Sequence, residues 1–98
     1  MADDAAIDPA GFLAEHPAWR LQDGRLVRGY RFTSFVEAFG FMASAALVAE
    51  SSDHHPSWTN VWNRVDVELW THTADAITAK DIALATAMEG LAGGRGDG

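Results

Sequence analysis

The chain has 98 residues and contains no cysteine. This absence excludes disulfide bonds, thiolate metal sites and a cysteine nucleophile. The chain also lacks an apolar run long enough to cross a membrane. Its acidic N-terminus has neither the basic segment nor the apolar segment of a signal peptide. We therefore expect a cytoplasmic protein that does not bind a membrane.

Basic side chains are also scarce. Seven Lys and Arg residues stand against fourteen Asp and Glu residues, which gives a formal net charge of −7 with histidine neutral. The negative field of such a protein repels a polyanion. Direct contact with nucleic acid is therefore not expected.

The composition that remains is that of one globular domain. Hydrophobic residues make up 48% of the chain and charged residues 21%, which is ordinary for a folded protein, and the length suits a single domain. We expect this domain to span residues 9–92, between a flexible acidic N-terminus (1–8) and a flexible glycine-rich tail (93–98). A domain of this size is modestly stable and can gain stability from association.

Turn and capping residues divide the domain into three helices and four strands. Asp23-Gly24 is typical of a hairpin turn, and Thr78 with Asp81 has the spacing of a helix-capping pair. The predicted helices span about 9–15, 34–50 and 78–91, and the predicted strands about 19–22, 25–32, 58–62 and 65–71. The order α-β-β-α-β-β-α predicts an α+β fold, a four-stranded antiparallel sheet with three helices packed on one face.

The second predicted helix contains very few polar residues. The residues that follow its helical period are Phe35, Phe39, Met42, Ala46 and Ala49. Phe41, Leu47 and Val48 lie off this stripe. Such a helix should be nearly enclosed, with the sheet on one side and a neighbouring helix or another subunit on the other.

Most of the acid/base side chains lie between Glu50 and Trp58. Two adjacent histidines, His54 and His55, follow the second helix, and His72 follows the fourth strand. Adjacent residues cannot both point the same way, so one could reach a pocket while the other orients it or binds a second ligand atom.

The residue types alone leave three interpretations of these histidines open. They could be a solvated or helix-capping pair. They could form a metal site with His72 and Asp53. Alternatively, a metal-free site could use one histidine to give a proton and another to take one. Asp81, in the first turn of a helix, could also serve only as a cap. Glu50 is mildly unfavourable near the negative end of a helix, which makes it a candidate to contact a ligand.

The spacing of these residues resembles the pterin-4a-carbinolamine dehydratase family. The matching pattern is Glu50-x-x-Asp53-His54-His55-Pro56-x-Trp58, then Asn60-Val61-x-Asn63-x-Val65-x-Val67-x-Leu69-x-Thr71-His72, and then Asp81 in the last helix. The resemblance covers about residues 9–91 and includes the Asp23-Gly24 hairpin.

The resemblance implies a dehydratase that converts 4a-hydroxytetrahydropterin to quinonoid dihydropterin and so recycles a tetrahydrobiopterin-type cofactor. It implies no metal and no organic cofactor for the enzyme itself, and a homodimer or homotetramer. The residues implied to be catalytic are His54, His55, His72 and Asp81, and those implied to bind the pterin are Glu50, Asp53, Trp58 and Thr71. Within the first set, the resemblance suggests that His54 and His72 exchange protons and that His55 orients the ring. Asp81 would fix the tautomer of a histidine or touch the ligand.

The resemblance also admits a function of a different class. Animal members of the family serve as dimerisation cofactors for a homeodomain transcription factor, and related folds serve as assembly chaperones. A protein-binding module of that kind has no need of three histidines and an acid at this spacing, so the pattern favours the enzyme. A small histidine-metal protein is the third possibility.

Overall fold

The computed structural model describes residues 5–95. Its elements are α1 (Ala10–Glu15), β1 (Arg20–Gln22), β2 (Arg25–Arg31), α2 (Phe35–Ser51), β3 (Ser57–Val61), β4 (Arg64–Leu69) and α3 (Ala79–Ala92). The predicted element order and α+β class are confirmed. The flexibility expected of residues 1–8 and 93–98 falls in part on residues 1–4 and 96–98, which lie outside the described residues. No described helix has the length and apolar character needed to cross a membrane.

The strands form one antiparallel sheet in the order β1-β2-β4-β3. The predicted turn at Asp23-Gly24 is confirmed, with φ of 53° and 76°, the left-handed pair that a two-residue hairpin requires. The second hairpin turns at Trp62 and Asn63, one residue earlier than predicted, because Arg64 already pairs with Val61.

Alternation in the two central strands builds the core. Val65, Val67 and Leu69 of β4 are buried against the helices, while Asp66 is exposed on the other face of the sheet. In β2, the same inward face is formed by Leu26, Arg28 and Tyr30. Both central strands therefore bury every second residue, including the charged Arg28.

The apolar stripe predicted for α2 is wrong for three of its five residues, whereas Ala49 is buried and Met42 packs, partly buried, against the core. The buried residues of this helix are Ala38, Phe41, Ala45 and Ala49. Phe35 and Phe39, which were expected inside, are 49% and 56% exposed, and Ala46 is exposed as well. In a helix that is apolar almost all round, periodicity cannot identify the inner face. Three small alanines face the core instead, where they allow α2 to approach its neighbours closely.

The Glu89 carboxylate, near the end of α3, forms hydrogen bonds that link this helix to the sheet. Oε2 of Glu89 accepts hydrogen bonds from Trp19 Nε1 (3.1 Å), from Arg28 Nε (3.2 Å) and from the Tyr30 hydroxyl. The His16 ring lies 4.6 Å from the Phe12 ring, tilted by 31°, and its Nδ1 lies 3.8 Å from Oε1 of the same carboxylate. The buried Arg28 is therefore paired, and His16 has a structural role at a distance from the other three histidines.

Candidate active site

The cap at the C-terminal end of α2 sets the directions of the His54 and His55 side chains. The N–H of His54 donates to the carbonyl of Ala49 (3.0 Å), and that of Asp53 donates to the carbonyl of Glu50 (3.1 Å). This is the pattern of a Schellman cap, in which the residue after the helix adopts a left-handed conformation. Asp53 occupies that position with φ of 49°. As a result the two side chains diverge, and that of His54 is 11% exposed while that of His55 is 58% exposed.

The start of α3 places a buried acid beside His54. Thr78 caps the helix: its hydroxyl accepts from Lys80 N, and its own N–H donates to Oδ2 of Asp81 at 2.9 Å. Asp81 is completely buried. The capping pair predicted from the sequence is therefore present, and it carries the carboxylate into the interior.

Asp81 is bound to more than its own helix. Its Oδ1 lies 2.6 Å from Nε2 of His54, and its Oδ2 accepts a hydrogen bond from the Thr71 hydroxyl at 2.8 Å. A buried carboxylate can remain charged when several donors satisfy its oxygens. Because Nε2 is the ring nitrogen that contacts Asp81, Nδ1 is the nitrogen of His54 that can exchange a proton with a ligand.

His72 is held by stacking. Its ring lies 4.2 Å from that of Trp70, with 12° between the planes. The Cζ atom of Arg25 lies 3.9 Å from the centre of the Trp70 ring. Two flat groups at these distances cannot share one face of the indole, so Trp70 lies between Arg25 and His72. The stack provides a flat, cation-supported wall.

His55 has an exposed carboxylate as its partner. Its Nε2 lies 2.9 Å from Oε1 of Glu50, on the last turn of α2. Both side chains are more than half exposed, so the contact is worth little to stability. Glu50, which the resemblance predicts to bind the pterin, contacts His55 in this structure.

These side chains surround one pocket of about 360 Å³. Its lining consists of Asp53, His54, His55, Trp70, Thr71, His72, Thr73 and Lys80. Five of the eight residues singled out in the sequence are among them. Glu50 and Asp81 stand behind the histidines that they contact. Trp58 of β3, which the resemblance predicts to bind the pterin, is not among these lining residues and lines a second depression with Val27 and Asp66.

The sequence interpretation missed three lining residues. Trp70 could have been identified from the sequence, because it follows β4 on the face of Asp66 and Glu68. An indole on this polar face suggests that another group covers it. Thr73 and Lys80 adjoin His72 and Asp81 in the chain, but neither stands out by residue type.

A metal centre finds no support in the arrangement of residues 5–95. Within that range, no three or more His, Asp or Glu side chains are placed so that they could hold one metal ion. His54 already uses Nε2 for Asp81, and His55 uses Nε2 for Glu50.

The fold and this pocket agree with comparison to known proteins. The family described as pterin 4 alpha carbinolamine dehydratase matches residues 3–91. The chain belongs to this family. Proteins of Solibacter usitatus and Rhodospirillum rubrum, whose names provisionally describe them as pterin-4-alpha-carbinolamine dehydratases, are 51% and 48% identical to it. The first similarity covers 84% of this chain and 86% of the relative, and the second covers 93% and 95%.

Two solved structures share the fold. A transcriptional coactivator/pterin dehydratase from Brucella melitensis is 40% identical, with a TM-score of 0.84 over 90% of this chain and 99% of that one. A pterin dehydratase-like protein, identified as a RuBisCO assembly factor in the alpha-carboxysome, is 25% identical. Its TM-score is 0.69, over 80% of this chain and 93% of that one.

Proposed function

We propose that this protein is a dehydratase that converts a 4a-hydroxytetrahydropterin to quinonoid dihydropterin and water. The observation that carries the proposal is one pocket lined by three histidines, of which His54 is held by a buried carboxylate. Membership of the pterin 4 alpha carbinolamine dehydratase family supports the choice of a pterin as substrate.

The size and shape of the pocket suit a small planar heterocycle. Its volume of about 360 Å³ falls at the lower end of the range for small-molecule sites, roughly 300–1,000 Å³. The outer face of the His72 ring, which stacks on Trp70, offers a flat surface on which a bicyclic ring can stack. Asp53 and Lys80 at the margin supply polar atoms for its edge.

The reaction requires one proton donor and one proton acceptor. The bond between C4a and the hydroxyl oxygen breaks, and the oxygen leaves as water after receiving a proton. N5 loses its proton, and the electrons of that N–H bond form the new double bond between N5 and C4a. No electron is gained or lost overall, so two side chains that titrate near neutral pH are sufficient.

We assign the two proton transfers to His54 and His72. Both line the pocket, and each is fixed in orientation, His54 by Asp81 and His72 by Trp70. His55, whose side chain is 58% exposed, is assigned to orienting the ring, with Glu50 behind it. Asp81 contributes by holding His54.

The proposed enzyme is a homodimer or homotetramer. Phe35, Val36, Phe39 and Leu47 on α2 are exposed in the single chain. A contiguous apolar surface of this kind is unusual on a monomer and is typical of an interface.

A direct assay of 4a-carbinolamine dehydration, with and without EDTA, tests the proposed function. We expect the purified protein to accelerate dehydration well beyond the rate in buffer, with the same kcat in the presence of the chelator. A folded wild-type protein that leaves the rate unchanged would contradict the proposal, and a rate abolished by EDTA would restore the metal interpretation.

A protein-binding module is the second candidate. The exposed apolar face of α2 favours it, and the two solved relatives are described as a coactivator/pterin dehydratase and as an assembly factor. A folded protein without dehydratase activity would favour this candidate over the enzyme.

A further inference from the structure

We propose that Thr71 and Thr78 are positioning residues that hold His54 in a single tautomer through Asp81. The effect of these residues on the reaction rate rests on the proposed function, but their effect on the His54 ring does not. Neither hydroxyl needs to touch the substrate.

The hydroxyls form a chain of hydrogen bonds with a fixed direction. The hydroxyl of Thr71 donates its proton to Oδ2 of Asp81 at 2.8 Å. Because it has one proton, its 2.7 Å contact with the Thr78 hydroxyl must be one in which Thr71 accepts. The Thr78 oxygen accepts from Lys80 N, and this contact does not use the hydroxyl proton of Thr78. That proton can therefore be donated to Thr71. Every proton in the chain therefore points toward Asp81.

This chain decides which oxygen of Asp81 faces His54. Oδ2 already accepts from the Thr71 hydroxyl and from Thr78 N. Oδ1 is left for Nε2 of His54, 2.6 Å away, and the carboxylate is fully buried, so that water cannot compete for it. A charged carboxylate accepts and cannot donate. It therefore requires the proton of a neutral His54 to be on Nε2, and Nδ1 stays bare toward the ligand.

The arrangement exceeds what a helix cap needs. A capping box is complete with Thr78 and Asp81 alone. Thr71 reaches the same carboxylate from the end of β4, and His54 reaches it from the end of α2. Thr71 borders the pocket but is only 4% exposed, and its proton is already donated. We therefore assign the Thr71 hydroxyl to positioning, while the contact of Thr71 with the pterin that the resemblance implies stays a prediction.

The test combines the His54 ring signals with steady-state kinetics. Thr71→Val removes the hydroxyl at constant shape, and Thr71→Ser restores a hydroxyl. In ¹⁵N spectra of the histidine rings, we expect wild-type His54 to show the Nε2–H tautomer alone and Thr71→Val to show a mixture. Asp81→Asn provides the reference for loss of the acceptor. We expect kcat of Thr71→Val to fall about tenfold, the lower end of the effect of removing a group that orients a ligating or reacting histidine. We expect Thr71→Ser to recover both the Nε2–H tautomer of His54 and the wild-type kcat.

Two comparisons separate positioning from general stability. Thr86→Val makes the same substitution on the exposed side of α3, where the hydroxyl bonds only to the Ile82 carbonyl, and should leave tautomer and kcat unchanged. Thr78→Val interrupts the chain at a second point and should reproduce the tautomer mixture.

The possible outcomes are distinct. A wild-type tautomer in Thr71→Val overturns the proposal, even if that variant melts at a lower temperature. A tautomer mixture in a protein whose wild type shows no dehydratase activity supports the positioning role and rejects the proposed function.

Discussion

His54 and His72 are each held by a neighbouring side chain and are each open to the pocket. Each has one side committed to the protein, a carboxylate for His54 and an indole for His72, and each borders the pocket. A group that transfers protons needs this combination of fixed geometry and access.

We expect His54→Ala and His72→Ala each to lower kcat by a factor of about 10² to 10⁴, the usual contribution of general acid/base catalysis. His16→Ala is the matched control, because His16 lies against Phe12 and Glu89 outside the pocket. Wild-type rates in both pocket variants, measured in the dehydration assay, would refute the assignment of these residues.

Asp53 permits a test that separates backbone from side chain. Its φ of 49° suits glycine better than any other residue. Asp53→Gly should retain or slightly raise the free energy of unfolding, whereas Asp53→Val should lower it by about 1–2 kcal/mol, the cost of a left-handed conformation. Urea denaturation measures both changes. If the Asp53 carboxylate binds substrate, KM will rise in the glycine variant although its stability does not fall.

Most of the predicted site residues come together at one pocket, but their pairing could not be predicted from the sequence. The spacing of His54, His55, His72 and Asp81 matched a family pattern, and the structure brings them to one place. The sequence does not show that Asp81 contacts Nε2 of His54 across 27 positions, or that Thr71 supports Asp81. Those contacts depend on how α3 docks against the end of α2.

Among the elements, α3 connects the pocket to the opposite end of the sheet. Asp81 lies in its first turn and Glu89 in its third, so that one helix carries both the acid behind His54 and the acid that binds Trp19, Arg28 and Tyr30. Removal of the second acid deprives three buried side chains of one of their hydrogen-bond acceptors.

We expect Glu89→Ala to lower the free energy of unfolding by about 2–3 kcal/mol, because a buried cation and two further donors lose the Glu89 carboxylate as an acceptor. Glu15→Ala, at an exposed acid on α1, should change it by less than about 0.5 kcal/mol. Thermal and urea unfolding followed by circular dichroism measure both. Equal stability of the two variants would mean that the Glu89 contacts contribute nothing to the docking of α3.

The elements whose ends are marked by turn or cap chemistry could be predicted closely. Asp23-Gly24 and Thr78 each fall where the structure has a turn and a helix start. The inner face of α2 could not be predicted, because Phe35, Phe39 and Phe41 are equally apolar and only the packed fold shows that Phe41 faces inward.

For the whole molecule, the outer face of α2 raises the question of association. We expect a dimer or tetramer at micromolar concentration by size-exclusion chromatography with light scattering. Phe39→Glu combined with Leu47→Glu should shift the protein toward the monomer, because two charges would be buried at an apolar interface. Thr86→Glu, on the exposed side of α3, is the control and should leave the mass unchanged. A wild-type protein that remains monomeric would contradict this prediction.

The shared position of Asp81 has a consequence for how such a protein can change over time. The same carboxylate caps the start of α3 and accepts hydrogen bonds from the buried Thr71 hydroxyl and from the Thr78 N–H. It also contacts and orients the His54 ring. A descendant that abandoned the chemistry would still need this acid in order to fold. Retention of Asp81 alone in a related chain is therefore poor evidence of catalysis, whereas retention of His72, an exposed residue that stacks on Trp70, is informative.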